Sequence, residues 1–298
     1  MKELLLDDIL QRTEDLKEKK VWYVAIIGRP NAWKSTFLNA FIGQKISITS
    51  DVPQTTRNRI LAIYNTSQSQ IVFFDTPWIH KSEKKFNEVI NNSAISSIND
   101  ADLVLHFIDS SREDWEEEQY IHELLQEINT PILKVYTKID LREKNTISES
   151  TNVYGISSVT KEWFEELENA IGKYLKIGTM MYPTNYYTEQ GLRFRVSEII
   201  REKVFFYTSQ ELPHSVYTAV EEVEETKKMY KIAAYVYVET ESQKYIIIGK
   251  WGALITKIGT EARKELEWML DKKVFLSLRA KVRKNWRKDE NFIKKLIK

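Results

Sequence analysis

The chain of 298 residues carries 44 Lys and Arg against 43 Asp and Glu, for a formal net charge of +1, with 42% hydrophobic residues and no cysteine. That length is near the size at which one core splits into two, and the lack of cysteine excludes disulfides and thiolate metal sites and fits a reducing cytoplasm. No apolar run approaches the roughly 18 residues of a spanning helix, and the charged start excludes a secretory signal.

Taken in chain order, Met1 to Lys20 reads as an extra leading helix with Leu4, Leu5, Ile9 and Leu16 on one side. The apolar stretch Val24-Ala25-Ile26-Ile27 follows and runs into Gly28-Arg29-Pro30-Asn31-Ala32-Trp33-Lys34-Ser35, then into the helix-like Ser35 to Ile42. This octet matches the phosphate-binding pattern G-x-x-x-x-G-K-[ST] at every fixed position except the second glycine, where Trp33 stands. The chemistry suits a triphosphate, because backbone N–H groups and a helix N-terminus give dense positive potential without bulk. Lys34 would reach the β- and γ-phosphates and the Ser35 hydroxyl would ligate Mg²⁺, while an indole at position 33 would crowd a site that suits a residue with no Cβ.

Pro53-Gln54-Thr55-Thr56-Arg57 is a polar stretch able to carry a switch threonine, with Thr56 favoured over Thr55. Ile71 to Phe74 is a short buried-strand pattern ending in Asp75-Thr76-Pro77-Trp78, and an Asp at a strand end is placed to hold Mg²⁺ through water. Ala101 to Ile108 reads as a strand and Glu116 to Ile128 as a helix. Leu133 to Tyr136 is a strand leading to Thr137-Lys138-Ile139-Asp140, where a carboxylate can accept both N–H donors of a guanine edge. Val153 to Ile156 and Lys161 to Leu175 supply a last strand and helix. Strands alternating with helices predict an α/β fold, a doubly wound and mostly parallel sheet, over residues 21–179.

Met180 to Gly191, with Pro183 and several polar residues, opens a linker placed at 180–194, and a second domain occupies 195–298. There Arg195 to Tyr207 is helical by periodicity, and Ser215 to Val223 and Lys231 to Glu239 alternate as strands. Tyr245-Ile246-Ile247-Ile248 is strand-like and precedes the G-x-x-G run Gly249-Lys250-Trp251-Gly252. An amphipathic helix from Leu254 to Leu266 and a strand at Val274 to Leu278 close the α+β unit. Such a loop clamps nucleic-acid backbone in KH domains. From Asp271 to Lys298 there are eleven Lys or Arg against three Asp or Glu, so basic charge concentrates beside it.

With these motifs assembled, the chain resembles the Era family of GTPases over nearly its whole length. The resemblance rests on Gly28 to Ser35, Pro53 to Arg57, Asp75 to His80, Thr137 to Asp140 and Ile156-Ser157-Ser158, and continues in Arg201-Glu202-Lys203, Glu211 to Ser215 and Ile247 to Gly252. It implies a P-loop GTPase domain followed by a type II KH domain, in a monomer that binds GTP or GDP with Mg²⁺. It also implies binding of the 3′ region of small-subunit (16S) ribosomal RNA during small-subunit assembly. Nucleotide contacts would fall on Gly28, Asn31, Ala32, Trp33, Lys34, Ser35, Thr36, Asp75, Thr137, Lys138, Asp140, Ser157 and Ser158. Magnesium would fall on Ser35, Thr56 and Asp75, and RNA contacts on Gly249, Lys250, Trp251, Gly252 and Lys257. Ile79 stands where many small GTPases have a water-positioning glutamine, so the catalytic set is read as Lys34, Thr56 and Asn31. In related families an asparagine corresponding to Asn31 helps bind a monovalent cation, here K⁺.

Departures from the family cluster on one residue type. The family writes glycine at Trp33 and Trp78, and glycine or a small residue at Trp22, Trp115, Trp163 and Trp251, whereas Trp286 fits it. The chain holds nine glycines in 298 residues, about half the usual share of roughly 7%, and eight tryptophans. Two accounts stand: the tryptophans are glycines in the organism, from a codon read differently there, or the chain is a nucleotide-independent RNA-binding scaffold with a blocked pocket. Thr137 replaces the family's asparagine and offers one hydroxyl in place of an amide. His106 reads as a core residue, His122 as exposed, His80 as part of a switch loop and His214 as structural. Peripheral membrane attachment through the basic tail is a third, weaker reading, since the tail lacks a broad apolar face.

Overall fold

The computed structural model describes residues 19–49, 59–76, 95–112, 116–141, 152–208, 212 and 215–286. Residues 1–18 of the expected leading segment, the Thr55–Thr56 pair, Pro77 to His80, Trp115, Pro213–His214 and the terminal basic run from residue 287 lie outside them; Lys19 and Lys20, expected to end a helix, instead begin the first strand, where they pair with the chain beside them. The chain divides into two compact units, one within Met1–Ser47 and Thr56–Glu189, the other within Ile48–Thr55 and Gln190–Lys298.

The first unit is built on β1 (Lys19–Ile27), α1 (Lys34–Ile42), β2 (Ile60–Asn65), β3 (Ser69–Asp75), β4 (Leu103–Asp109), α2 (Glu116–Gln126), β5 (Ile132–Thr137), β6 (Val153–Gly155), α3 (Phe164–Gly172) and β7 (Lys176–Gly178). Its sheet runs β2-β3-β1-β4-β5-β6, with β7 added antiparallel to β1. The neighbours β3-β1, β1-β4, β4-β5 and β5-β6 are all parallel, and β2 pairs antiparallel with β3. Every residue of β3 and β4 is buried, the signature of a strand covered on both faces. Parallel order brings the C-terminal ends of β1, β3, β4 and β5 to one edge, the edge where open α/β sheets take their ligands.

Two strands of this sheet escape a reading by apolar runs. β2 mixes buried and half-buried residues, and β7 has only three. The segment after β7, expected as a linker, is bonded to the sheet's edge. Gln70 receives Met181 and Tyr182 N–H on its side-chain oxygen and donates to Tyr182 carbonyl; Ile63 N–H donates to Tyr187 carbonyl, and Thr188 Oγ1 to Leu61 carbonyl. An edge strand presents unpaired backbone groups, and this stretch covers them.

The second unit comprises α4 (Leu192–Thr208), β8 (Tyr217–Glu225), β9 (Met229–Val238), α5 (Glu241–Ile248), α6 (Ala253–Leu270) and β10 (Lys273–Val282). Its sheet is ordered β10-β9-β8, with β9 parallel to β10 and antiparallel to β8. Val196, Ile200 and Val204 of α4 and Ile258, Ala262 and Leu266 of α6 bury against Ile232, Ala234 and Val236 of β9. The strand-like reading of Tyr245 to Ile248 is corrected: these residues end a helix. Thr240 and Gln243 form a reciprocal capping box, which satisfies the first-turn donors and overrides the β-propensity of three consecutive isoleucines. The order is therefore helix, strand, strand, helix, G-x-x-G, helix, strand.

Trp286 is fully buried and its indole N–H donates to Ser215 carbonyl at 3.0 Å. Trp286→Ala should destabilise the second unit by roughly 3–5 kcal/mol, read as a lowered denaturation midpoint of its own transition while the first unit's is unchanged.

Candidate functional site

The octet from Gly28 to Ser35 joins the end of β1 to the start of α1. Gly28 has no room for a side chain, because a Cβ there would meet Phe107 carbonyl oxygen at 2.3 Å. Beyond it, Asn31 and Trp33 both adopt the left-handed conformation, each at φ 59°. Left-handed residues within a turn aim successive N–H groups inward and make an anion-binding concavity. Ala32 is buried, and Ser35 and Thr36 lie in the first turn of α1.

Lys34 is buried, and its Nζ donates to the carbonyls of Gly28 at 2.7 Å and Arg29 at 3.1 Å. Burial pulls its pKa down from 10.5 to about 8, with Asp75 and Glu118 opposing that shift. Ser35 Oγ donates to Asp75 Oδ2 at 2.7 Å, and Ser47 Oγ to the same oxygen at 3.0 Å. The fold thus brings Ser35 together with Asp75, the two described members of the expected magnesium set. Their all-oxygen chemistry fits that ion. Thr56, the third member, lies outside the described residues.

The other end of the site is formed after β5. Lys138 has φ 60° and its Nζ donates to the buried Asp109 at 2.7 Å. Burial raises the Asp109 pKa, but hydrogen bonds from Lys138 and Ser111 outweigh that and hold it below the usual carboxylate range. Asp140 sits in a short 3₁₀ turn, Ile139–Leu141, with its side chain exposed. Thr137 is buried, with its hydroxyl 3.4 Å from Ile108 carbonyl, so it faces strand β4 and not an incoming base. Ser157 Oγ accepts Thr160 N–H at 3.2 Å, and Ser158 is buried. The indole at position 33 has its ring 5.2 Å from Lys138 Nζ, so it reaches from the phosphate loop toward the Thr137–Asp140 loop.

Three residues enter the site that the fixed positions of the motifs do not announce. Asp109 anchors Lys138 as above. Arg29 donates to Asp109 carbonyl at 3.3 Å and lies 3.8 Å from Glu118, which also approaches His106 Nε2 at 2.6 Å. Asp109 was detectable, since it ends a mainly apolar, fully buried strand as Asp75 does. The Arg29–Glu118 pairing joins residues far apart in sequence and left no local signal.

In the second unit Gly249 has φ 70° and a Cβ there would approach Leu254 Cβ to 2.7 Å. Trp251 and Gly252 follow at φ 57° and 78°. Lys250 and Lys257 are exposed, and Lys257 Nζ lies 4.4 Å above the Tyr207 ring. His106 is buried and His122 exposed, as expected.

A phosphate-type loop on a mostly parallel sheet, followed by a helix-loop-helix on a three-stranded sheet, defines a P-loop GTPase domain with an appended KH domain. Residues 23–138 match the 50S ribosome-binding GTPase family and 211–287 the KH domain family. GTPase Era of Geobacter metallireducens is 42% identical over 286 residues, 92% of this chain and 96% of that protein; GTPase Era of Treponema denticola is 42% identical over 287, 92% and 98%. Among solved structures, Era in complex with MgGDPNP and nucleotides 1506-1542 of 16S ribosomal RNA aligns with TM-score 0.88 and 32% identity, covering 93% of this chain and 98% of that one. An Aquifex aeolicus Era variant bound to GDP.AlF4- gives 0.88, 33%, 93% and 98%. The chain belongs to the Era GTPase family. The nucleotide-independent scaffold gains no support from these full-length likenesses.

The depressed Lys34 pKa has a consequence for binding. A phosphate anion favours the charged lysine, so nucleotide binding should raise that pKa and take up a proton above about pH 8, with affinity falling as pH rises through that value. Calorimetry at about pH 9 in two buffers of different ionisation enthalpy measures the uptake. We expect a positive proton count that Lys34→Met abolishes.

Proposed function

We propose that the chain is a cytoplasmic, monomeric GTP-hydrolysing switch whose KH domain binds the 3′ region of 16S ribosomal RNA and assists assembly of the small ribosomal subunit. The observation that carries the reading is the convergence of Lys34, Ser35 and Asp75 at the ends of β1 and β3, with Ser35 Oγ 2.7 Å from Asp75. In support, a solved Era structure that aligns over 93% of this chain with TM-score 0.88 holds nucleotides 1506-1542 of 16S ribosomal RNA.

In this reading the backbone from Gly28 through Thr36 wraps the phosphates, and Lys34 leaves its loop carbonyls to meet the β- and γ-phosphates. Ser35, Thr56 and Asp75 would hold Mg²⁺, which would supply positive charge to offset that developing on the β- and γ-phosphate oxygens. Asp140 accepts the guanine N–H pair, Lys138 is held by Asp109 against the phosphate loop, and the backbone at Ser157 and Ser158 closes on the base. Ile79 cannot hydrogen-bond a water, so Asn31 is assigned to hold K⁺, which supplies positive charge where other GTPases use an arginine finger. Gly249, Lys250, position 251, Gly252 and Lys257 contact RNA backbone. Among the described residues no helix is long and apolar enough to cross a membrane.

Two measurements on protein isolated from its own source test this. GTP hydrolysis should run roughly ten-fold faster in K⁺ than in Na⁺, about 1.4 kcal/mol of barrier, and ATP should compete for the site roughly 100-fold more weakly than GTP. Equal rates in the two salts remove the Asn31 role, and comparable ATP binding refutes the GTPase assignment. For RNA, Lys250→Ala should weaken binding to all sequences alike and reduce the slope of log K against log salt by about one.

A further inference from the structure

The backbone separates the tryptophans into two kinds. Six of them lie among the described residues: Trp22, Trp33, Trp163, Trp251, Trp268 and Trp286. Three, Trp33, Trp163 and Trp251, have positive φ at 59°, 64° and 57°. Among the described residues no phenylalanine or tyrosine does, although the chain holds 12 and 15 of them. A bulky side chain in this region is a steric outlier, whereas glycine enters it freely.

Nor do two of the three indoles offset that strain by burial, whereas Trp33 is half-buried with its ring 5.2 Å from Lys138 Nζ. Trp251 is 94% exposed and Trp163 56% exposed. By contrast Trp286, at an ordinary φ, is wholly buried and hydrogen-bonded. The three outliers also share a structural place. Trp33 caps α1, Trp163 caps α3, and Trp251 sits between Gly249 and Gly252 at the entry to α6, so each is a left-handed turn into a helix. Two of the three fall in loops that bind phosphate backbone only when the main chain can approach closely. Glycine is scarce overall, at nine in 298. The three strained tryptophans stand where the backbone conformation favours glycine.

We infer that residues 33, 163 and 251 are glycine in the protein its organism makes, because its translation machinery, through a glycine-charged tRNA, reads as glycine a codon elsewhere read as tryptophan. Trp286 is a true tryptophan encoded by the other codon. Glycine at 33 removes the ring that spans to Lys138 and opens the face between the two nucleotide loops. Glycine at 251 makes a run of three glycines about Lys250.

The gene and the native protein test this directly. Positions 33, 163 and 251 should share one codon, distinct from that of residue 286, and peptides from protein isolated from its own source should weigh less by the tryptophan-to-glycine difference at each of the three. A native peptide with tryptophan at 33, or a codon shared by 33 and 286, overturns the inference. Recombinant chain carrying Trp33→Gly, Trp163→Gly and Trp251→Gly should melt roughly 5 °C higher than the unsubstituted chain. An equal or lower melting temperature contradicts the backbone argument. These readouts are independent of nucleotide: native glycine peptides with no GTP binding would sink the GTPase reading and leave this one standing.

Discussion

The nucleotide half of the molecule depends on how closely β1 approaches β4 at one point. Gly28 leaves the sheet against Phe107 carbonyl with no space for a Cβ, which fixes where the chain departs and compels it to curl over the strand ends. From that point the loop can only close by left-handed turns, at residues 31 and 33, before α1 begins. The pocket for an anion is thus a by-product of two strands packed at contact distance. Lys34 reports the result: inside this dry turn its ammonium has two carbonyls for company, and burial drags its pKa down. A group kept charged only with effort in the protein alone is one that gains most from a phosphate.

Carboxylates at strand ends do the matching work. Asp75 and Asp109 each terminate a strand that is buried throughout, so each brings a carboxyl group to the edge of the sheet. One collects hydroxyls, from Ser35 and Ser47; the other collects an ammonium, from Lys138. The difference follows from the neighbours. Asp75 faces α1, whose first turn offers a hydroxyl, whereas Asp109 pairs in register with Thr137 and so meets the residue after it. A polar residue at the end of an apolar run has no reason to be buried unless something meets it, and here both are met.

Most of the fold was legible because burial wrote itself into the sequence as period. An unbroken apolar run gave β3, runs broken by one polar residue gave β4 and β5, and the α2, α4 and α6 faces followed helical spacing. Where the sequence misled, a local competitor won. The isoleucines of residues 246–248 have strand propensity, yet the Thr240–Gln243 box two turns earlier had already started a helix. β2 and β7 lie at the margins of the sheet, where half-burial blurs alternation. Within the site, the motif residues were legible and their clamps were not: Arg29 and Glu118 meet only because α2 returns across β4.

The two units share one device. Each presents a short loop rich in left-handed residues at the entry to a long helix, residues 31 and 33 before α1 and 249, 251 and 252 before α6. In each the conformation gathers N–H groups into a concavity at a helix N-terminus, the end that carries partial positive charge, and a lysine stands in the loop. Phosphate is the ligand this arrangement suits, whether it ends a nucleotide or links two of them. What separates the sites is depth: Lys34 is buried and can grip one anion closely, whereas Lys250 is exposed and can track a polymer. Glycine suits both places for the same reason, since residues 33 and 251 both take a left-handed conformation that costs least where there is no Cβ.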